Sequence, residues 1–382
     1  MNLRHIVPAL GLVALSASAA SAQEIATGLF LNGWSDNILT WAHDTSKTEG
    51  GGSLGAENYD SLDFSTAAKL RVDWNVNSQV SARVSMRFYD VGGSAASDNG
   101  AYLQESFVNV QANDKTSIMM GKFINPFGWQ SAEPTGLNRV NYGLTYQYYG
   151  NNDPLGASLT YTAPMSEKGK LASTFQVTNG YFTAQDGTNG GSVNSNDPAV
   201  NNHQRNDLGL GADFSFTPHG DKTNVNLEFA YDPSSSVAAA GGQFNGYIFQ
   251  TGLNGTLMAN DKLMIGGEVF YRASQNAIVS NSGLSTEQDI ALMATATQTL
   301  DTAEKFCPMA ATVMYSMDNK DFKCEANTAT PVEHQLAVAL LTNPYGSSNF
   351  GLNLEYQYGW TEGTNSNQNT SQIALEGLVV IP

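Results

Sequence analysis

The clearest pattern in the chain is a strict alternation of apolar and polar residues over positions 68–88. Every second residue is apolar over 68–76, and the same alternation resumes over 80–88 after a short polar turn. The residues on the polar side are Lys69, Arg71, Asp73, Asn75, Ser81, Arg83, Ser85 and Arg87. A period of two over two consecutive runs predicts an antiparallel hairpin with one apolar face and one charged face.

Alternation of this kind recurs along most of the chain. Further runs predict strands near residues 102–112, 116–123, 155–162, 171–178, 207–216, 224–232, 247–257, 263–272, 336–340, 350–360 and 373–381. The first strand is less distinct, and we place its start within Ile25–Trp41. Many of these runs approach the ~9–11 residues of a tilted transmembrane strand and exceed the ~5–6 residues usual in globular sheets.

The connections between the predicted strands alternate in length. Short turns are predicted near Asn75, Asn113, Ser166, Gly220, Asp261 and Pro344, and long loops at 45–63, 92–100, 124–153, 183–206, 233–244, 274–331 and 361–370. Short turns on one side and long loops on the other are typical of transmembrane barrels. Because lipid offers no partner to backbone polar groups, such strands must close on themselves. We therefore predict an all-β, antiparallel, up-and-down transmembrane β-barrel.

The number of strands depends on residues 274–331. If this stretch is one large outer loop, with a helix start at 285–288, the barrel has fourteen strands. The chain contains two cysteines, Cys307 and Cys324, and this arrangement puts both in one loop, where they can form a disulfide. The alternative is sixteen strands, with 290–300 and 311–317 as an extra hairpin and the cysteines on opposite sides of the membrane. We predict fourteen.

The first residues have the organisation of an export signal. Arg4 and His5 precede an apolar run over 6–15, and Ala20-Ser21-Ala22 forms a small-residue cleavage site before Gln23. This apolar run is too short to span a bilayer. We predict a signal peptide over residues 1–22 and a barrel over 23–382, in a protein exported by a Gram-negative bacterium.

Charge and composition exclude several classes of function. The chain has 18 basic and 35 acidic residues and a net charge of −17, which becomes −18 when Arg4 leaves with the signal peptide. Only 14% of the residues are charged and the mean hydropathy is −0.26. This acidic balance argues against a nucleic-acid partner, because nothing is basic enough to neutralise a phosphate backbone.

Motifs for catalysis or cofactor binding are lacking in the sequence. The four histidines that follow the signal peptide (His43, His203, His219 and His334) belong to no recognisable catalytic motif, and no glycine-rich loop resembles a phosphate cradle. The polar stretch Asn194-Ser195-Asn196-Asp197 offers oxygen ligands for calcium, although a solvated loop is the simpler interpretation. We predict a protein that is not an enzyme and carries no cofactor or bound metal.

One long segment breaks the alternation. Residues 124–153 contain Pro126 and Pro134 and show no period of two. A segment of this length between strands is either a surface loop or a stretch folded into the barrel. We predict that it folds inward and narrows the lumen.

Charged residues on the polar faces are unevenly distributed along the chain. Basic candidates for the pore lining are Lys69, Arg71, Arg83 and Arg87, with Lys122 and Arg139 from the inward segment. Acidic candidates are Glu105 and, on later strands, Asp213, Glu228, Glu268 and Glu355. Closing the sheet would set a basic wall against an acidic one, and charges in a narrow passage select permeating ions. The alternative is that these residues pair with one another or face bulk water.

The stretch Gly121-Lys122-Phe123-Ile124-Asn125-Pro126-Phe127-Gly128 resembles the OmpL-like β-barrel porins and, more distantly, the phosphate-type porins. The stretch 178–181 is similar to a strand end of the same family, and the resemblance extends over about 69–182. One departure is the chain end, 379–382, which lacks the terminal aromatic residue usual in such barrels.

The resemblance implies an outer-membrane porin that passes ions and small hydrophilic solutes by diffusion. Its partners would be outer-membrane lipid, lipopolysaccharide and the solutes themselves, and analogy with porins suggests a homotrimer. The alternative from a different class is a non-conducting structural or adhesive barrel, plugged by 124–153 and 274–331.

Overall fold

The fold was analysed in a computed structural model. It describes residues 23–48, 58–91, 100–124, 128, 140–141, 143–145, 154–165, 169–178, 208–218, 223–232, 237–239, 242–244, 247–280, 283–300, 309–323, 332–342, 350–362 and 366–381. The predicted signal peptide, residues 1–22, lies outside these ranges. Within them, no helix has the length and apolar character needed to cross a bilayer.

Almost all of the described chain is β-strand. The strands are β1 Gln23–Ala26, β2 Leu29–Thr48, β3 Asn58–Asn75, β4 Val80–Val91, β5 Gly100–Asn113, β6 Thr116–Lys122, β7 Leu155–Pro164, β8 Lys170–Thr178, β9 Gly209–Thr217, β10 Thr223–Asp232, β11 Val237–Ala239, β12 Gly242–Phe244, β13 Tyr247–Met258, β14 Leu263–Ser280, β15 Gly283–Leu300, β16 Met309–Lys323, β17 Val332–Thr342, β18 Phe350–Glu362 and β19 Ser366–Ile381.

Sixteen of these strands, β2–β10 and β13–β19, form one closed barrel. Each is antiparallel to the next along the chain, and β10 pairs directly with β13. The last strand, β19, pairs with β2 from Ser366 opposite Thr48 to Ile381 opposite Gly33. This pairing removes the free edges that an open sheet would leave, so the wall satisfies its own backbone hydrogen bonds.

The short strand β1 extends the seam between β19 and β2. Its first residue, Gln23, pairs with Leu31 on β2, just beyond the last β19 pairing at Gly33. The turn between β1 and β2 requires Gly28, whose φ is 74° and whose added Cβ would lie 2.5 Å from the Asn75 carbonyl oxygen. The main-chain N–H of Asn75 donates to the Gly28 carbonyl at 2.7 Å, which ties this turn to the end of β3.

Side chains divide into an apolar outside and a polar inside, as the alternation predicts. Val84 and Leu354 are 48% and 45% exposed, whereas their neighbours Ser85 and Glu355 are 0% and 1% exposed. The outward set also includes Leu70, Val108, Met120, Leu159, Leu210, Leu227, Leu253, Val269, Ile290, Val313, Val338 and Ile373. A large apolar side chain costs about 1.5–3 kcal/mol when left in water, so this exterior suits lipid hydrocarbon.

The predicted count of fourteen strands is wrong, and the alternative of sixteen fits. Residues 274–331 are not one outer loop: β14 runs to Ser280, and β15 and β16 form the additional hairpin. The proposed helix start at 285–288 lies within β15. The contrast between the faces of β15 is weak, because alanine occurs on both the inward side (Ala291) and the outward side (Ala294).

The early strands are longer than predicted. A single strand, β2, covers most of the range in which we expected the first strand to begin, and it continues to Thr48. Of the loop predicted over 45–63, residues 45–48 belong to β2 and residues 58–63 to β3. The loop predicted at 233–244 contains the small hairpin of β11 and β12, in which Val237 pairs with Phe244.

Candidate functional site

Three neighbouring strands bring charged residues to one patch of the inner wall. On β3, Lys69, Arg71 and Asp73 share the inward face because they are two residues apart. The register of β3 and β4 sets Asp73 opposite Arg83. The register of β4 and β5 then sets Ser85 opposite Glu105, next to a bulge in the pairing.

Asp73 is the centre of the first hydrogen-bonded group. Its Oδ2 accepts from Arg71 Nε at 2.9 Å and from Asn32 Nδ2 at 2.7 Å. Its Oδ1 accepts from Arg83 Nε at 2.6 Å. One carboxylate therefore bridges two guanidinium groups, each of which remains about 30% exposed.

Glu105 is the centre of the second group. Its Oε2 accepts from Lys69 Nζ and from Ser85 Oγ, both at 2.8 Å. Its Oε1 lies 3.4 Å from Arg83 Nη1, so Arg83 links the two groups. The side chains of Lys69 and Glu105 are only 1% and 5% exposed, which makes this a buried ion pair.

The wall predicted to be basic is therefore mixed in charge. Lys69, Arg71 and Arg83 do lie together, but they surround Asp73 and Glu105, and the three positive charges face two negative ones. Glu105 belongs to this wall rather than to an opposite acidic one. The alternative in which charged residues pair with one another describes this patch.

Arg87 extends the patch towards the seam of the barrel. Its guanidinium lies 5.6 Å from the centre of the Trp34 ring, which is 6% exposed. Asp36 and Glu376, 9% and 1% exposed, lie on the adjoining strands β2 and β19. Asn353 on β18 donates from Nδ2 to Glu376, so polar contacts continue around the inner wall.

The described residues between β6 and β7 contact side chains on the inner wall of the barrel. The main-chain N–H groups of Val140 and Asn141 donate to Glu355 Oε2 at 3.0 and 3.5 Å. The side-chain amide of Asn141 also donates from Nδ2 to Glu355 Oε1 at 3.1 Å. The main-chain N–H of Leu144 donates to Ser316 Oγ at 3.4 Å. Val140 and Leu144 are buried at 3% and 8% exposure.

Two further carboxylates hold the same segment. Glu228 on β10 accepts from Gly128 N at 3.0 Å and from Asn254 Nδ2 at 2.6 Å. Glu268 on β14 accepts from the hydroxyl of Thr145, which is fully buried. Three of the predicted acidic residues thus bind the inward segment, largely through its main chain.

Gly128 is required where the segment meets this wall. Its φ is 85°, a conformation that residues with a Cβ rarely adopt. An added Cβ would lie 3.2 Å from Glu268 Oε2 and 3.3 Å from the Phe270 ring. The glycine therefore lets the main chain approach the carboxylates closely.

The remaining predicted residues have separate positions. Asp213 on β9 lies opposite Glu228 in the register, next to the acidic group. Lys122, at the end of β6, donates from Nζ to the Leu103 carbonyl at 2.6 Å and lies 5.6 Å from the Tyr102 ring centre. Arg139 lies outside the described residues.

The two cysteines also lie outside the described residues. The premise of their predicted disulfide, a single shared loop, is wrong. The 15 residues of β16 come between Cys307 and Cys324 in the chain. At about 3.3 Å per residue, a strand of 15 residues is about 50 Å long. The disulfide itself stays a prediction.

Other interior residues were not among the predicted lining residues. Arg272 on β14 donates from Nη2 to Asp289 Oδ2 on β15 at 2.8 Å, and both are buried. Asp289 was missed because its strand was assigned to a loop. Asp73 was assigned to the polar face by its parity with Lys69 and Arg71, but it was not included among the predicted lining residues.

The described histidines lie on the outer face of the wall. His43 Nδ1 is 2.7 Å from Asp60 Oδ1, and the His334 ring stacks on Trp360 with centroids 4.7 Å apart. His203 and His219 fall outside the described part of the chain. Across that part, no three His, Cys, Asp or Glu side chains group in a way that could hold a metal ion.

Comparison with known proteins identifies the fold. No protein-family profile matches the chain, and no curated protein matches its sequence. The outer membrane channel DcaP of Acinetobacter baumannii matches its structure with a TM-score of 0.60 at 11% identity, covering 94% of this chain and all of that one.

Two further solved structures share this architecture. OprB of Pseudomonas putida has a TM-score of 0.56 at 8% identity, covering 92% of this chain and 94% of its own. The anion-selective porin from Comamonas acidovorans has a TM-score of 0.55 at 11% identity, with 92% and 99% covered. The resemblance to OmpL-like porins stays a prediction. At these identities the comparison shows the fold alone: the chain folds as the closed antiparallel barrel found in outer-membrane porins and channels.

Proposed function

We propose that this protein is an outer-membrane porin through which ions and small hydrophilic solutes diffuse passively. The observation that carries the proposal is the division of side chains around a closed barrel of sixteen strands, apolar outside and charged inside. An apolar exterior needs lipid, whereas ionised groups in the interior need water or partners. A polar interior is also characteristic of transmembrane barrels that conduct.

The segment 124–153 would narrow this passage. Its described residues hydrogen-bond wall carboxylates on β10, β14 and β18, which supports an inward course of the segment. Charged side chains around the remaining space would set the ion preference. The proposed lining residues are Lys69, Arg71, Arg83, Arg87, Lys122, Arg139, Glu105, Asp213, Glu228, Glu268 and Glu355.

Location and partners follow from the same proposal. The predicted signal peptide, residues 1–22, would deliver the chain for export, and the apolar belt would contact outer-membrane lipid and lipopolysaccharide. A homotrimer is proposed by analogy with porins. The structural likeness to outer-membrane channels supports this location.

Planar-bilayer recording tests the proposal. We expect purified, detergent-solubilised protein to produce stepwise increases in current, with reversal potentials in a salt gradient that report ion preference. Heat-denatured protein is the control and should produce no steps. The absence of current steps from folded protein would contradict the proposed porin function and favour the alternative, a non-conducting structural barrel.

A further inference from the structure

A cavity of about 360 Å³ lies against the inner wall, among strands β2 to β5. Its lining includes Phe30, Asn32, Arg71, Asp73, Arg83 and Phe107. Asn75 also lines it and is the last residue of β3 before the short turn to β4. The cavity therefore lies near the short-turn end of the barrel. The described contacts of the inward segment lie elsewhere, on β10, β14, β16 and β18.

The two guanidinium groups keep hydrogen-bond donors available to this cavity. A guanidinium has five N–H donors. Arg71 uses its Nε on Asp73, and its two Nη groups donate to no other described residue. Arg83 also uses its Nε on Asp73, and only its Nη1 reaches a second carboxylate, Glu105, at 3.4 Å. The paired Nη groups of Arg71 form the fork that binds a carboxylate in bidentate fashion.

The charge balance of the patch favours an anion. Lys69, Arg71 and Arg83 contribute three positive charges, and Asp73 and Glu105 contribute two negative ones. Both oxygens of Asp73 already accept hydrogen bonds, so the carboxylate holds the arginines in place without cancelling both of their charges. One bound monovalent anion would bring the net charge of this group to zero.

Aromatic rings favour an organic body on that anion. The guanidinium of Arg83 lies 5.5 Å from the centre of the Phe107 ring, and Phe30 also lines the cavity. These rings offer apolar contact that a hydrated inorganic ion does not use, whereas the hydrocarbon part of a small acid does.

We propose that this cavity is a binding subsite for small organic carboxylates, with the carboxylate on the Arg71 fork and the apolar body against Phe30 and Phe107. The subsite rests on the proposed porin function, in which it would hold a solute near the short-turn mouth. It goes beyond general diffusion because it selects one chemical class.

Calorimetric titration of the folded protein in detergent with sodium benzoate tests the subsite without requiring conduction. We expect saturable binding to the wild-type protein and at least a tenfold higher Kd for Arg71→Gln, since the variant loses the charge-assisted pair. Lys115→Gln is the matched control, because it removes one positive charge from a turn at the same end and should bind as the wild type does. Equal binding by Arg71→Gln would overturn the proposal.

The Arg71→Lys variant tests whether weaker benzoate binding by Arg71→Gln is caused by misfolding. It keeps the charge beside Asp73 and removes only the fork, so it should fold as the wild type does and bind benzoate at least severalfold more weakly. Wild-type affinity in this variant would overturn the assignment of the fork.

Two other ligands test the chemical class. Benzyl alcohol, the neutral analogue, and inorganic phosphate should both bind much more weakly than benzoate. Equal binding of either one would overturn the assignment to organic carboxylates.

Recording separates this proposal from the porin itself. Benzoate added on the short-turn side should interrupt the wild-type current, and the interruptions should shorten in Arg71→Gln. Normal current steps with no benzoate binding by calorimetry would overturn the subsite alone. Saturable benzoate binding by a protein that never conducts would overturn the porin and support the site.

Discussion

At the scale of single residues, the interior is held by carboxylates that each serve several donors. Glu105 accepts from Lys69 and Ser85 and approaches Arg83, while the Lys69 side chain is 1% exposed. A buried ion pair of this kind contributes little net stability over an apolar replacement, but removing one partner is costly. Such a pair therefore acts mainly by fixing the geometry of the arginines beside it.

We expect Glu105→Ala to lower the free energy of unfolding by about 3–5 kcal/mol, because the carboxylate shared by these donors is lost. Urea unfolding in detergent micelles, followed by tryptophan fluorescence, measures this change. The double variant Lys69→Met/Glu105→Leu should recover most of the loss, since both charges of the buried pair are then removed. A double variant as unstable as the single one would contradict this account.

At the scale of elements, main-chain donors anchor the inward segment to the wall. Val140 N, Asn141 N and Gly128 N all donate to wall carboxylates. Main-chain donors do not depend on side-chain identity, so the essential residues are the acceptors Glu355 and Glu228. Each hydrogen bond to a charged group is worth about 1.5–3 kcal/mol.

We expect Glu355→Ala to loosen the segment and raise both the mean single-channel conductance and the open-channel noise. Bilayer recording measures both quantities. The control is Glu376→Ala, which removes the same type of side chain from β19 without touching a described residue of the segment. If both variants keep wild-type noise, the anchoring role of Glu355 is wrong.

The hairpin of β15 and β16 is the element that separates sixteen strands from fourteen. Val313 on β16 is 49% exposed on the outer face and lies opposite Val338 of β17. Its neighbours Thr312 and Met314 are both 1% exposed, which fits a wall strand with one side in lipid.

We expect Val313→Arg to destabilise the barrel by about 2–4 kcal/mol, because a charge near the middle of the lipid face is costly. Gln298→Arg, on the same outward face near the turn end of β15, should cost only about 0–1 kcal/mol, and Val313→Leu should be neutral. The fraction of folded protein on unheated gels reports assembly. Equal folding of the two arginine variants would argue against a membrane-spanning β16.

At the scale of the whole molecule, patches of mixed charge on the inner wall set the electrostatic field in the lumen. The ion-paired group of Lys69, Arg71, Arg83, Asp73 and Glu105 has one excess positive charge. Glu228, Glu268 and Glu355, on β10, β14 and β18, bind the inward segment. Charges in a narrow passage with low-dielectric walls act over long distances.

Neutralising Arg83 and Arg87 together should shift ion preference towards cations, with a permeability ratio changed on the order of twofold or more. The physical reason is that Asp73, Glu105 and Asp36 would then meet less positive charge. Reversal potentials in a salt gradient measure the shift, and the Arg83→Lys/Arg87→Lys double variant should stay near the wild type. Unchanged reversal potentials in the variant without the two arginine charges would show that these charges do not set the ion preference.

The sequence by itself determined which side chains meet lipid and which face the interior. The period of two is a local property, because successive side chains on a strand point to opposite faces whatever the strand pairs with. Val84 and Leu354 outside, and Ser85 and Glu355 inside, could therefore be assigned from the alternation alone. The lack of alternation over 124–153 left two options, a surface loop or an inward fold, and the inward fold is the predicted one.

Only the tertiary structure decided the number of strands and the contacts between charges. The β15 pattern is ambiguous because alanine occurs on both faces, and its pairing with β14 and β16 resolves it. Register, which depends on contacts between separate strands, places Asp73 opposite Arg83 and Ser85 opposite Glu105. The main-chain donors that reach Glu228 and Glu355 leave no trace in residue type, since every residue other than proline carries the same N–H group.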